Sequence, residues 1–120
     1  MAVILLVDDS KFMRDRVDKL LVQEGYTTHQ ASNGRDAVEI YPKVKPQLVI
    51  MDITMPDMDG ITAVEEMLKV DPQAKIVMLS AMGQKEMVLQ AVAKGAKYFL
   101  VKPFEPSKVL EVVKKFVGKP

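Results

Sequence analysis

Four short apolar runs in this chain each end on a residue able to do chemistry. Asp8 and Asp9 follow residues 3–7, Asp52 follows residues 48–51, Ser80 follows residues 76–79 and Lys102 follows residues 98–101. If the runs are buried parallel strands, all of these groups emerge at one edge of one sheet, where open α/β sheets place their ligands. Three neighbouring carboxylates repel and raise one another's pKa unless a cation offsets them. Oxygen-only ligation favours a hard divalent ion, so Asp8, Asp9 and Asp52 predict a Mg²⁺ site. The Lys102 ammonium suits one phosphoryl oxygen and the Ser80 hydroxyl can donate to another. Together they would stabilise a phosphoryl group in transfer, and a carboxylate within the cluster could be the nucleophile that forms an acyl phosphate.

The segments between these runs carry a helical period. Met13, Val17, Leu20 and Leu21 make one stripe, Val88, Ala91 and Val92 a second, and Val109, Val112, Val113 and Phe116 a third. Gly25 and Gly95 stand where left-handed helix ends are common, and Asn33 and Ser107 are candidate N-caps. A weaker strand near residues 27–31 and helices near 34–44 and 61–70 complete five strand–helix repeats. With right-handed crossovers these wind into an α/β fold, a doubly wound five-stranded parallel sheet with five helices.

A chain of 120 residues with 48% hydrophobic content is expected to form one domain, residues 1–120, around a single core. Lys+Arg 17 against Asp+Glu 16 gives a net charge of +1, which offers no basic surface for nucleic acid. With Cys 0, disulfides and thiolate metal sites are excluded. The first apolar stretch is broken by Asp8 and Asp9, too early for a signal-peptide core or membrane span. The expectation is a soluble, cytoplasmic monomer that binds neither nucleic acid nor membrane.

The segments Leu6-Val7-Asp8-Asp9-Ser10, Met51-Asp52-Ile53-Thr54-Met55-Pro56-Asp57-Met58-Asp59-Gly60, Ser80-Ala81-Met82, Gly95-Ala96 and Lys102-Pro103-Phe104 run from end to end of the chain. In combination they resemble the receiver domain of two-component response regulators, and most closely its single-domain, CheY-type chemotaxis branch. The resemblance implies a flavodoxin-like strand order of 2-1-3-4-5. It implies that Asp52 is phosphorylated by a CheA-like histidine kinase, that Asp9 binds Mg²⁺ directly and Asp8 through water, and that the Thr54 backbone carbonyl completes the ligand set. Lys102 would contact the phosphoryl group, Ser80 would be the switch hydroxyl, Phe99 the aromatic switch, and Lys102-Pro103 a cis peptide. The implied partners are that kinase, a FliM-like flagellar motor switch protein and a phosphatase. The chain would catalyse its own phosphorylation and dephosphorylation, without turning over a separate substrate.

Two positions depart from the commonest family pattern: Ser80 stands where Thr is more usual, and Phe99 where Tyr is frequent. Tyr98 would point to the other face of its strand and is no substitute. Asp57 and Asp59, between Pro56 and Gly60, read as turn formers, and the lone His29 as a structural or surface residue. Most of the nine Met residues should fill the core. Asp8 and Asp9 taken alone would serve equally as caps of the first helix. An aspartyl-phosphate phosphohydrolase of the haloacid-dehalogenase kind also combines Asp with Mg²⁺, but it resembles Asp-x-Asp after the first strand, whereas Asp52 precedes Ile53-Thr54 on the third. A phosphorelay intermediate is an alternative within the receiver family. The output face is expected on the fourth helix, fifth strand and fifth helix, with Met87, Lys94, Lys97, Tyr98 and Lys108 ready for an amphipathic, partly acidic peptide.

Overall fold

The computed structural model describes residues 2–55 and 58–120. The elements alternate as β1 (Val3–Val7), α1 (Lys11–Gln23), β2 (Thr27–Ala31), α2 (Gly34–Val44), β3 (Leu48–Asp52), α3 (Gly60–Val70), β4 (Ile76–Ser80), α4 (Lys85–Lys94), β5 (Tyr98–Val101) and α5 (Pro106–Val117). All strand pairs are parallel, in the order β2-β1-β3-β4-β5. This is the doubly wound α/β sheet expected from the sequence.

Alternation along the central strands makes two apolar layers. Leu5, Val7, Val49, Met51, Ile76 and Met78 pack against α2, α3 and α4 through residues such as Ala37, Ala63, Met67 and Ala91. Their neighbours Ile4, Leu6, Leu48, Ile50, Val77 and Leu79 pack against Val17 and Leu21 of α1 and Val109, Val112 and Val113 of α5. Every residue of β3 and β4 is buried, as strands covered on both faces must be.

The edge strands differ. In β5 only Leu100 is buried, and Tyr98, Phe99 and Val101 are each 41% exposed, although their apolar run reads like the central ones. An edge strand has one neighbour, and α5 covers only its Leu100 side. β2 is likewise half-open, with His29 exposed.

Helix ends follow local chemistry. Asn33 caps α2 by accepting from Asp36 N, as expected. Ser107 does not cap α5, which starts one residue earlier: Pro106 takes the first turn, where its missing N–H is harmless, and Glu105 is the N-cap. Asp59 caps α3 through Thr62 N, a firmer role than that of a turn former, while Asp57 lies outside the described residues. Gly25 follows the end of α1 with φ 101°, and Gly95 ends α4 with φ 122°.

Candidate functional site

In the strand order, β1 is the point from which the chain departs first to β2 and then to β3, so a crevice opens beyond the carboxyl ends of β1 and β3. Asp8 and Asp9 follow β1 and Asp52 ends β3. Asp8, Asp9 and Asp52 each offer one carboxylate oxygen to a cluster whose members all lie within 4.8 Å of one another.

Asp8 is buried and fully engaged. Its Oδ1 accepts from Ser10 N at 2.9 Å and its Oδ2 from Lys102 Nζ at 3.1 Å. Its backbone carbonyl accepts from Arg14 Nη1 at 2.6 Å. The cap of α1 is Ser10, whose Oγ accepts from Met13 N, so neither Asp8 nor Asp9 serves as that cap. Asp9 is exposed to solvent.

Asp52 is buried, and Lys102 Nζ stands 3.4 Å from its Oδ2. Burial pushes its pKa above the ordinary 3.8; Lys102 opposes this, while Asp8 and Asp9 add to it. Lys102 thus bridges two carboxylates, those of Asp8 and Asp52. An all-carboxylate set with one solvent-facing member fits a hard divalent ion that keeps part of its water shell.

Ser80 is buried at the end of β4, and its carbonyl accepts from Lys102 N at 2.7 Å. The Lys102-Pro103 peptide is cis, as expected. Thr54 is exposed on the loop after β3, with its Oγ1 accepting from Gln84 Nε2 at 2.8 Å. Phe99 borders a largely apolar cavity of about 330 Å³ together with Ser80, Val88, Leu89 and Val101. Tyr98 lies on the opposite side of β5, against Phe116 and under Lys115 of α5.

The expected output residues separate. Met87 packs half-buried against the α2–α4 layer, and Lys94 pairs with Glu65 of α3 at 3.7 Å. Lys97, Tyr98 and Lys108 are exposed as expected, and the further outward-facing apolar groups are Leu89 and Val92 of α4 with Phe99 and Val101 of β5.

Two contributors escape the sequence reading. Arg14 fixes the Asp8 backbone and Gln84 spans two loops. Gly60 lets α3 start against β3, because a Cβ there would meet the Asp52 carbonyl at 2.5 Å. Asp–x–Ser before a helix signals the Ser10 cap, but nothing local marks Arg14 or Gln84.

The response regulator receiver domain family matches residues 4–114. Chemotaxis protein CheY of Thermotoga maritima is 51% identical over 113 residues, 93% of this chain and 94% of that protein. CheY of Bacillus subtilis is 52% identical over 113 residues, again 93% and 94% of the two chains. Among solved structures, the CheX-CheY-BeF3-Mg complex of Borrelia burgdorferi contains a chain that is 38% identical, with a TM-score of 0.89 and coverage of 97% of this chain and 90% of that one. With its doubly wound sheet, acidic crevice and near-complete match, this chain belongs to the response regulator receiver domain family.

Proposed function

We propose that the chain is a phosphoacceptor switch of chemotaxis, charged by a histidine kinase on Asp52. The observation that carries the reading is the buried Asp52 carboxylate set 3.4 Å from Lys102 Nζ and clustered with Asp8 and Asp9. In this reading an Asp52 carboxylate oxygen attacks the phosphorus of the donor. The phosphorus–nitrogen bond of the kinase phosphohistidine breaks, its electron pair stays on the imidazole nitrogen, and an acyl phosphate forms.

Lys102, already placed between Asp8 and Asp52, neutralises charge on the arriving phosphoryl oxygens. Ser80 donates its hydroxyl, moving toward Asp52. Phe99 then turns into the cavity it now borders. Asp9, Asp52 and the Thr54 carbonyl would hold Mg²⁺ directly, and Asp8 through water. Bound there, Mg²⁺ would offset the negative charge of carboxylates and phosphoryl group. No separate substrate is turned over.

Similarity to proteins named for chemotaxis supports a flagellar motor switch protein as the target, a CheA-like kinase as the donor and a cytoplasmic location. Among the described residues no helix is long and apolar enough to cross a membrane. The presence of a CheX chain with CheY in the Borrelia complex makes a second regulatory partner of that kind, such as a phosphatase, part of the proposal.

Incubation with Mg²⁺ and acetyl phosphate, followed by intact-mass measurement and peptide mapping, tests the core of this reading. One phosphoryl group should appear on Asp52, and Asp52→Asn should abolish it. An undiminished adduct in that variant would move the acceptor elsewhere.

A further inference from the structure

At the carboxyl end of β4 the ladder with β3 stops one bond early. Ile53 N donates to Leu79 O at 3.0 Å, and Ser80 O, on the other side of the strand, accepts from Lys102 N at 2.7 Å. By the alternation of a parallel ladder, Ala81 N–H turns back toward β3, and its next acceptor would be Ile53 O. Gly60 N already occupies that carbonyl at 2.7 Å. Ala81 N–H goes instead to Gln84 Oε1, at 2.6 Å.

The same Gln84 side chain donates through Nε2 to Thr54 Oγ1 at 2.8 Å and approaches Met87 Sδ at 3.9 Å. Gln84 is the N-cap residue of α4, yet its side chain makes no capping bond. It spends its polar groups on neighbouring loops, tying the loop after Ser80 to the loop after Asp52.

We propose that Gln84 is a positioning residue: a clasp that occupies Ala81 N–H in the resting chain and releases it to a phosphoryl oxygen on Asp52. The inference rests on the phosphoacceptor reading. An amide aimed at the end of β3 suits an anion there, and a charged oxygen binds it roughly twice as strongly as the neutral Gln84 carbonyl does. The clasp therefore stabilises the resting arrangement and yields to the phosphorylated one. Removing it biases the equilibrium toward the bound state by the net value of one neutral hydrogen bond, roughly three- to tenfold in affinity.

The experiment titrates beryllofluoride, a stand-in for the phosphoryl group, in the presence of Mg²⁺, alongside hydrogen exchange at the Ala81 amide. Wild-type protein should protect that amide before any addition. Gln84→Ala and the similarly shaped Gln84→Met should expose it and bind beryllofluoride roughly three- to tenfold more tightly. Thr54→Val leaves the Ala81 acceptor but removes its anchor, and should tighten binding by a smaller factor. A merely structural Gln84 would alter melting without this gain in affinity. Wild-type binding with equal or weaker binding in the Gln84 variants overturns the clasp, as does a freely exchanging Ala81 amide in the resting protein. Wild-type protein that binds no beryllofluoride overturns the phosphoacceptor reading, and the clasp with it.

Discussion

Asp52 is buried near two other carboxylates, and its burial outweighs the opposing Lys102 ammonium, so folding favours its protonated form. The sign of the stability effect follows. With a folded-state pKa raised above 3.8, its contribution to stability is fully present below pH 3.8 and is lost as pH rises through the raised value. Asn at this position keeps the shape and never ionises. In metal-free protein, Asp52→Asn should therefore melt a few degrees higher than wild type at neutral pH, even without the ion pair to Lys102, because burial is the largest influence on this carboxyl. The gap should close as pH falls toward 3.8. Melting curves in chelator at acidic and neutral pH read both values; a variant less stable at neutral pH would mean that the Lys102 pair outweighs burial. This residue was legible from sequence because an acidic group closes an otherwise apolar run. Arg14 and Gln84 were not, since their roles arise from contacts with a backbone carbonyl and a loop hydroxyl that no local pattern encodes.

Between elements, the most consequential departure from the sequence reading is β5. Its four apolar residues match those of the central strands, but edge position, set by topology, decides burial. Hydrophobic runs locate strands and helical stripes locate helices; neither reveals which strand lacks a second neighbour. The result is an apolar band of Leu89, Val92, Phe99 and Val101 beside Tyr98, with Lys115 over the Tyr98 ring at 5.1 Å. Lys97 is exposed immediately before the same strand. An apolar centre with a basic rim suits an amphipathic, acidic target helix. Tyr98→Ala should weaken binding of such a peptide to the phosphorylated protein by about 1–2 kcal/mol through lost apolar contact. Lys97→Glu should act mainly through charge, with a loss that shrinks at high salt. Titration of an acidic target peptide checks both. Binding unchanged in both variants but weakened by substitutions on α1 would place the output on the opposite side.

Across the whole molecule, the sheet gathers residues from the start, middle and end of the chain into one charged crevice, so folding and metal binding are linked. The unfolded chain disperses Asp8, Asp9 and Asp52 and offers no cluster, so Mg²⁺ held in the proposed site would bind only the folded form and should raise stability by about 2.7 kcal/mol at a hundred times its Kd. Relief of repulsion among the three carboxylates acts in the same direction. The choice of variant follows from burial. Asp8 is buried and holds Ser10 N and Lys102 Nζ, so its removal would disturb the fold with or without metal. Asp9 is exposed, and no capping role falls to it. Asp9→Ala should leave the metal-free melting temperature within a degree or two of wild type, yet lose most of the rise that Mg²⁺ produces. Paired melting curves with Mg²⁺ and with chelator measure that difference, and equal Mg²⁺ stabilisation in wild type and Asp9→Ala would put the ion outside this crevice.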